Sequence, residues 1–94
     1  MMNIELKLNN ANGIFQLRNE DELVIGELTF LLRGDNQMIV NHTGVNPVYR
    51  GQGLAEKLVL KAVDYARDNK LKILPFCSYV SAYFNNHPEV QDVV

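Results

Sequence analysis

Ile4, Leu6 and Leu8 alternate with Glu5, Lys7 and Asn9, the period-two pattern of a strand with one buried face. Residues 9–13 read as a turn in which Asn12-Gly13 suits the positive φ values of a tight hairpin, and Phe15 and Leu17 resume the alternation. After a loop at 19–21, residues 22–33 (ELVIGELTFLLR) are rich in β-branched and aromatic side chains. Gly34-Asp35-Asn36 then supplies turn chemistry before Met38-Ile39-Val40. The first half therefore predicts an antiparallel meander of about four strands.

Past Val45 the period changes. Residues 46–53 (NPVYRGQG) form a loop, and Leu54, Ala55, Leu58, Val59, Ala62, Val63 and Ala66 recur at helical spacing. Glu56, Lys57, Lys61, Asp64, Arg67 and Asp68 lie on the opposite face, so an amphipathic helix is expected over 54–69, stopped at Asn69-Lys70. Residues 71–76 (LKILPF) read as a short strand, with Pro75 at its end or at a sheet edge. Strand, helix, strand implies a parallel crossover. Ser78 is placed to cap a short helix carrying Val80, Tyr83 and Phe84, which His87-Pro88 would end; residues 89–94 carry no clear pattern. The fold class expected is α/β (α+β): a meander, a β-α-β crossover and a short C-terminal helix.

Composition narrows the function. Ninety-four residues, 47% of them hydrophobic, suffice for one core, and a single domain over 1–94 is expected. A net charge of -2 offers no broad basic field, so neither nucleic acid nor an anionic membrane surface is an expected partner. No apolar run approaches the roughly 18 residues of a bilayer span, and residues 1–10 lack a signal-peptide core. Cys77 is the only cysteine, and His42 and His87 have no ligand spacing around them, so neither an internal disulfide nor a metal site is expected. A cytoplasmic monomer is the corresponding expectation.

The loop ahead of the long helix holds the most specific signal. Gly51 and Gly53 flank Gln52 where a strand feeds a helix, leaving the first helical N–H groups free to bind an anion or merely making a tight turn. The loop contains no GxxxxGK[ST], and a GxGxxG template meets Glu56 at its last glycine, so two common nucleotide motifs are excluded. Arg50-Gly51-Gln52-Gly53-Leu54-Ala55 resembles the acyl-CoA signature of the GNAT N-acetyltransferases, at the family's position between a fourth strand and the central helix. His42-Thr43, Val45, Pro47, Tyr49, Pro75, Cys77 and His87-Pro88 extend the resemblance to a minimal subfamily of about this length, over most of 38–90.

The resemblance implies acetyl-CoA as cofactor. The amides of Gly51, Gln52, Gly53, Leu54 and Ala55 would hold the CoA pyrophosphate, Arg50 would add contacts to phosphate oxygen, and Lys57 would lie nearby. The pantetheine arm would bond the main chain of the fourth strand, which ends near Val45. Cys77 would sit near the CoA sulfur as an acyl-accepting nucleophile or as a proton donor; the plainer alternative is a small buried hydrophobe.

His42, on a strand with Val40, reads as a structural histidine before a general base, and His87 as a helix cap or a cofactor contact. Tyr79 and Tyr83 resemble the tyrosine that many GNAT enzymes use as an acid, with core or rim packing as the alternative. Relatives often carry an acidic residue where this chain has Gly44, and fuller members insert helices that this chain lacks. The implied activity is acetyl transfer from acetyl-CoA to an unknown amine, exposed or macromolecular. The rivals are a CoA-binding or sensing module without its own acceptor site, and a scaffold whose glycines serve only a turn.

Overall fold

A computed structural model describes residues 2–94. Its elements in chain order are β1 (Asn3–Asn9), β2 (Asn12–Arg18), β3 (Val24–Arg33), β4 (Gln37–Val45), a 3-10 turn (Pro47–Tyr49), α1 (Leu54–Asp68), β5 (Lys72–Pro75), α2 (Ser78–Asn86) and a terminal 3-10 segment (Pro88–Val93). The five strands form one sheet in sequence order. β1 to β4 pair antiparallel, and β5 pairs parallel with β4, with α1 as the crossover. The expected meander, crossover and C-terminal helix are all present.

Leu17, Leu28, Phe30, Met38, Val40 and Ile73 make one buried face of the sheet. Leu54, Leu58, Val59, Ala62, Val63 and Ala66 from α1, with Val80 and Phe84 from α2, close over it. Burying the leucine, valine and phenylalanine side chains among these accounts for roughly 1.5–3 kcal/mol each, which is why helical periodicity outweighs the absence of a side-chain cap on α1. Tyr83 Oη on α2 donates to Glu56 Oε2 on α1 at 3.1 Å, tying the two helices together.

Three local expectations are corrected. The first hairpin turns at Asn10-Ala11, with Asn10 at φ 58°, and not at Asn12-Gly13. Asn tolerates that left-handed conformation, and Gly13 is needed elsewhere: its cross-strand partner Phe30 lies over it, where a Cβ would meet the ring at 2.1 Å. Ser78 is the first residue of α2, and Cys77 takes the N-cap position. The C-terminal segment is also built into the fold. Val90 and Val93 are buried, and Arg67 binds Asp92 in a two-toothed pair at 2.9 and 2.8 Å.

A β-bulge decides which side chains of β4 reach the core. Phe30 pairs with Val40 but Thr29 pairs with His42, so Asn41 is the extra residue. The bulge reverses the facing of everything after it. Thr43, opposite the fully buried Leu28, turns its hydroxyl inward, while Asn41 and His42 are both exposed. His42 lies on the strand with Val40 as expected, but the reading of it as a buried structural histidine is corrected: without the bulge it would share the Val40 face, and with it the ring is exposed.

Candidate functional site

Asn46 begins the loop after β4. Its side chain accepts from Val48 N–H at 3.0 Å and starts the 3-10 turn, with Pro47 in the first position, where its missing N–H has no consequence. Asn19 Nδ2 donates to Tyr49 Oη at 3.1 Å, anchoring the turn to the β2–β3 connection. Gly51 and Gly53 then adopt φ of 84° and 72°, with open space around both positions. Their requirement for glycine is thus conformational and not steric. Gly53 is the N-cap of α1 and brings no side-chain acceptor, so the first-turn amides of the helix have none from the cap.

These amides border a cavity of about 230 Å³. Val45, Arg50, Gly51, Gly53, Leu54 and Ala55, all candidates from the sequence, line it together. Gln52 is exposed and outside the lining. Lys57 is turned away toward a separate groove with Ile4 and Asp64, so its expected place near the loop is corrected: it follows Glu56 around the helix, onto the β1 side. Tyr49, Glu56 and Tyr79 complete the cavity wall; rim packing was one of the readings for Tyr79, whereas Glu56 was expected only on the polar face of the helix.

Beside this cavity the sheet opens. β4 and β5 pair only from Gln37↔Lys72 to Val40↔Pro75. Val40 O then accepts from the N–H groups of Phe76 at 3.0 Å and Cys77 at 3.2 Å, and β4 continues to Val45 without a β5 partner. Cys77 stands at this parting, half-buried against the core and outside the wall of the cavity. Burial pushes its thiol up, but the amides of Val80 and Tyr79 and the hydroxyl and backbone of Thr43 outweigh that, holding it below its usual value.

The aromatic groups of α2 are sorted by the helix face they occupy. Tyr79 is exposed at the cavity rim, and burial together with the Glu56 charge raises its hydroxyl. Tyr83 is buried, and burial and its hydrogen bond to Glu56 push it up to about 12. His87 ends α2 and stacks on Tyr83 at 4.0 Å between ring centroids, with Nδ1 at 2.8 Å from Glu89 Oε1. His87 thus takes the cap position expected at the end of α2. Among the described residues, no group of three or more His, Cys, Asp or Glu is placed to hold a metal ion, and no helix is long and apolar enough to cross a membrane.

A glycine turn feeding a helix, a cavity at its amides and two parallel strands that part beside it make up an arrangement that can be compared with known proteins. A sequence model of the GCN5-related N-acetyl-transferase family matches residues 14–93. The chain belongs to that family.

This GCN5-related chain is 31% identical to a GCN5-like protein from Staphylococcus aureus solved by NMR, covering 99% of this chain and 89% of that one with a TM-score of 0.71. A GNAT family acetyltransferase from Elizabethkingia anophelis, crystallised with acetyl-CoA bound, aligns at 10% identity over 90% of this chain and 72% of that one, with a TM-score of 0.72. A GNAT family N-acetyltransferase from Escherichia coli in complex with CoA aligns at 22% identity over 67% of this chain, with a TM-score of 0.61, and this chain spans only 38% of its length. The last two likenesses concern the fold. Comparison with curated proteins gave no match.

Proposed function

We propose that this GCN5-related chain binds acetyl-CoA at the cavity before α1 and transfers the acetyl group to an amine. The observation that carries the reading is the left-handed Gly51 and Gly53 turn, which leaves the first amides of α1 facing a cavity next to the end of β4 that has no partner on the β5 side. A helix N-terminus of this kind favours a pyrophosphate, through both its free N–H groups and its dipole. In this reading the amides of Gly51, Gln52, Gly53, Leu54 and Ala55 hold the phosphates and Arg50 adds a charge-assisted contact. The β5-side edge of β4, open from beyond Val40 to Val45, accepts the pantetheine arm as an added strand. The acetyl-CoA and CoA of the two crystallised neighbours support the same cofactor here.

Amide donors of β4 then polarise the thioester carbonyl, and the amine attacks it. Cys77 acts at the parting of β4 and β5, either giving its proton to the departing thiolate or carrying the acetyl group between thioester and amine. A cytoplasmic location and a monomeric state belong to the same reading, since a lone thiol with such a role is kept reduced there. The second reading, a CoA-binding or sensing module, draws on the two-residue Asn10-Ala11 link between β1 and β2, which leaves no inserted element there to cover an acceptor.

An amide NMR titration with acetyl-CoA, followed by intact mass, tests these readings. Saturable shifts centred on Val45 and on residues 51–55 are expected. Gly53→Ala should weaken binding by about tenfold, because a left-handed alanine is strained by roughly 1–2 kcal/mol. Absence of shifts at millimolar ligand would end the acetyl-CoA reading. Saturable binding without amine-dependent release of CoA across a broad amine panel would favour the module.

A further inference from the structure

β1 is a free edge of the sheet. It pairs with β2 on one side, and among the described residues no strand pairs with its other side. A seven-residue edge with open N–H and C=O groups is a template for a further strand. The opposite edge, β5, has four residues and ends at Pro75, which has no N–H to donate.

The side chains of β1 are sorted between two faces. Ile4 and Leu6 stand opposite the buried Leu17 and Phe15, so together with Leu8 they lie on the α1 side, and Glu5 and Lys7 lie on the solvent side. The helix does not cover this apolar row to its end. Leu8 is 48% exposed, Leu60 on α1 is 40% exposed, and a groove of about 490 Å³ between β1 and α1 is walled by Met2, Ile4, Leu60, Lys57, Lys61 and Asp64 among others. On the solvent side Glu5 Oε1 lies 3.6 Å from Lys7 Nζ and 3.9 Å from Arg18, and the Glu5 and Lys7 side chains are both about half exposed.

The strand is complementary to itself. Laid antiparallel against a second copy about a two-fold axis at Leu6, its sequence NIELKLN sets Ile4 opposite Leu8, Glu5 opposite Lys7 and Asn3 opposite Asn9. Directly opposed residues share a face of the sheet, so a two-fold axis must pass through a residue position if both apolar rows are to stay on one side. Moving the axis to Glu5 or to Lys7 would set like charges face to face, which destabilises an antiparallel pair. The axis at Leu6 opposes unlike charges on the solvent side and apolar groups on the other. It also brings the exposed Leu8 of each copy beside Ile4 of the other, at the groove that Ile4 lines.

We infer that the free edge of β1 is an interface for a second copy of this chain, paired antiparallel about Leu6 so that the two sheets become one. The inference goes beyond the acetyl-CoA reading and does not depend on it. No residue of β1 lines the cavity before α1, so a single chain remains the unit of the proposed chemistry. A strand of seven residues is roughly 24 Å long, and a pairing strip of that length stays below the roughly 1,200 Å² of a stable interface. The pairing is therefore weak: the chain is a monomer when dilute and passes to a dimer toward millimolar concentration.

The test is sedimentation equilibrium and amide NMR of the full chain from about 0.02 to about 1 mM, at low ionic strength where exposed charges are least screened. The average mass should rise toward twice that of one chain, with concentration-dependent shifts centred on residues 3–9 and on the α1 surface around Leu60. Glu5→Lys alone and Lys7→Glu alone each set like charges opposite one another and should weaken association at least tenfold. Amide spectra that match the wild type away from β1 show that each variant is folded. An equal mixture of E5K and K7E chains restores unlike charges at both positions, and should recover the association and the same shifts. No association up to about 1 mM, shifts centred on β5, undiminished association in the single variants, or a mixture no tighter than either variant alone would overturn the interface.

Discussion

Tyr83 on α2 donates its hydroxyl to Glu56 in the first turn of α1 at 3.1 Å, and this bond joins the C-terminal helix to the wall of the cavity. Burial and the Glu56 carboxylate both favour the neutral phenol, so its ionisation is pushed up to about 12 from the usual 10. Between those values the unfolded chain loses its proton first. The stability contributed by the neutral form is therefore whole below pH 10 and is lost as pH rises through 12. Urea unfolding at intervals from pH 9 upward should show this decline in the wild type. In Tyr83→Phe the decline should be smaller, and neutral-pH stability should fall by about 1 kcal/mol through the lost hydrogen bond. Equal declines in the two proteins would show that another group titrates there.

Cys77 and Thr43 make a second pair that can be separated by substitution. The thiol lies below its usual value because N–H groups of α2 and the Thr43 hydroxyl outweigh its burial. The rate of alkylation by iodoacetamide should accordingly reach half its maximum at a lower pH than for a free cysteine peptide, and Thr43→Val should move that midpoint upward. Apart from the thiol, the buried Thr43 Oγ1 has no partner, so the same substitution should change stability by less than about 1 kcal/mol. An unmoved midpoint in T43V would assign the effect to the helix amides alone.

Gly13 is the glycine whose replacement should matter most to the fold. A Cβ would come within 2.1 Å of the Phe30 ring, which is buried and held between Phe15 and Tyr65 with centroids at 5.5 and 5.6 Å. The ring has little space to yield. Gly13→Ala should lower stability by about 1–3 kcal/mol, measured by urea unfolding, with altered near-UV signals from the aromatic cluster. A neutral effect would mean that Phe30 swings into the groove beside Leu8 and Ile14.

Much of this was legible in advance where a repeated pattern spoke for itself. α1 ends within one residue of its expectation because six apolar positions at helical spacing face one core. The glycines at 51 and 53 were recognisable because a strand-to-helix junction needs left-handed residues there, whichever way the rest of the chain folds. Lys57 was misplaced for the opposite reason. Nearness to the loop along the chain says nothing about which side of the first helical turn a side chain leaves from.

The strands, the crossover, the long helix and the glycine turn were determined by the sequence alone, because each is a local preference or a period of two or 3.6 carried by neighbouring residues. The tertiary structure decided the bulge at Asn41, and with it the outward His42 and the inward Thr43. It also decided that the hairpin turns at Asn10, since Gly13 is claimed by a ring that arrives from β3. The meeting of Glu27 with His42, and of Tyr83 with Glu56, likewise depends on how separate elements are brought into contact. Such contacts arise from one shared core that all the elements must cover at once, and no window of the chain contains that constraint.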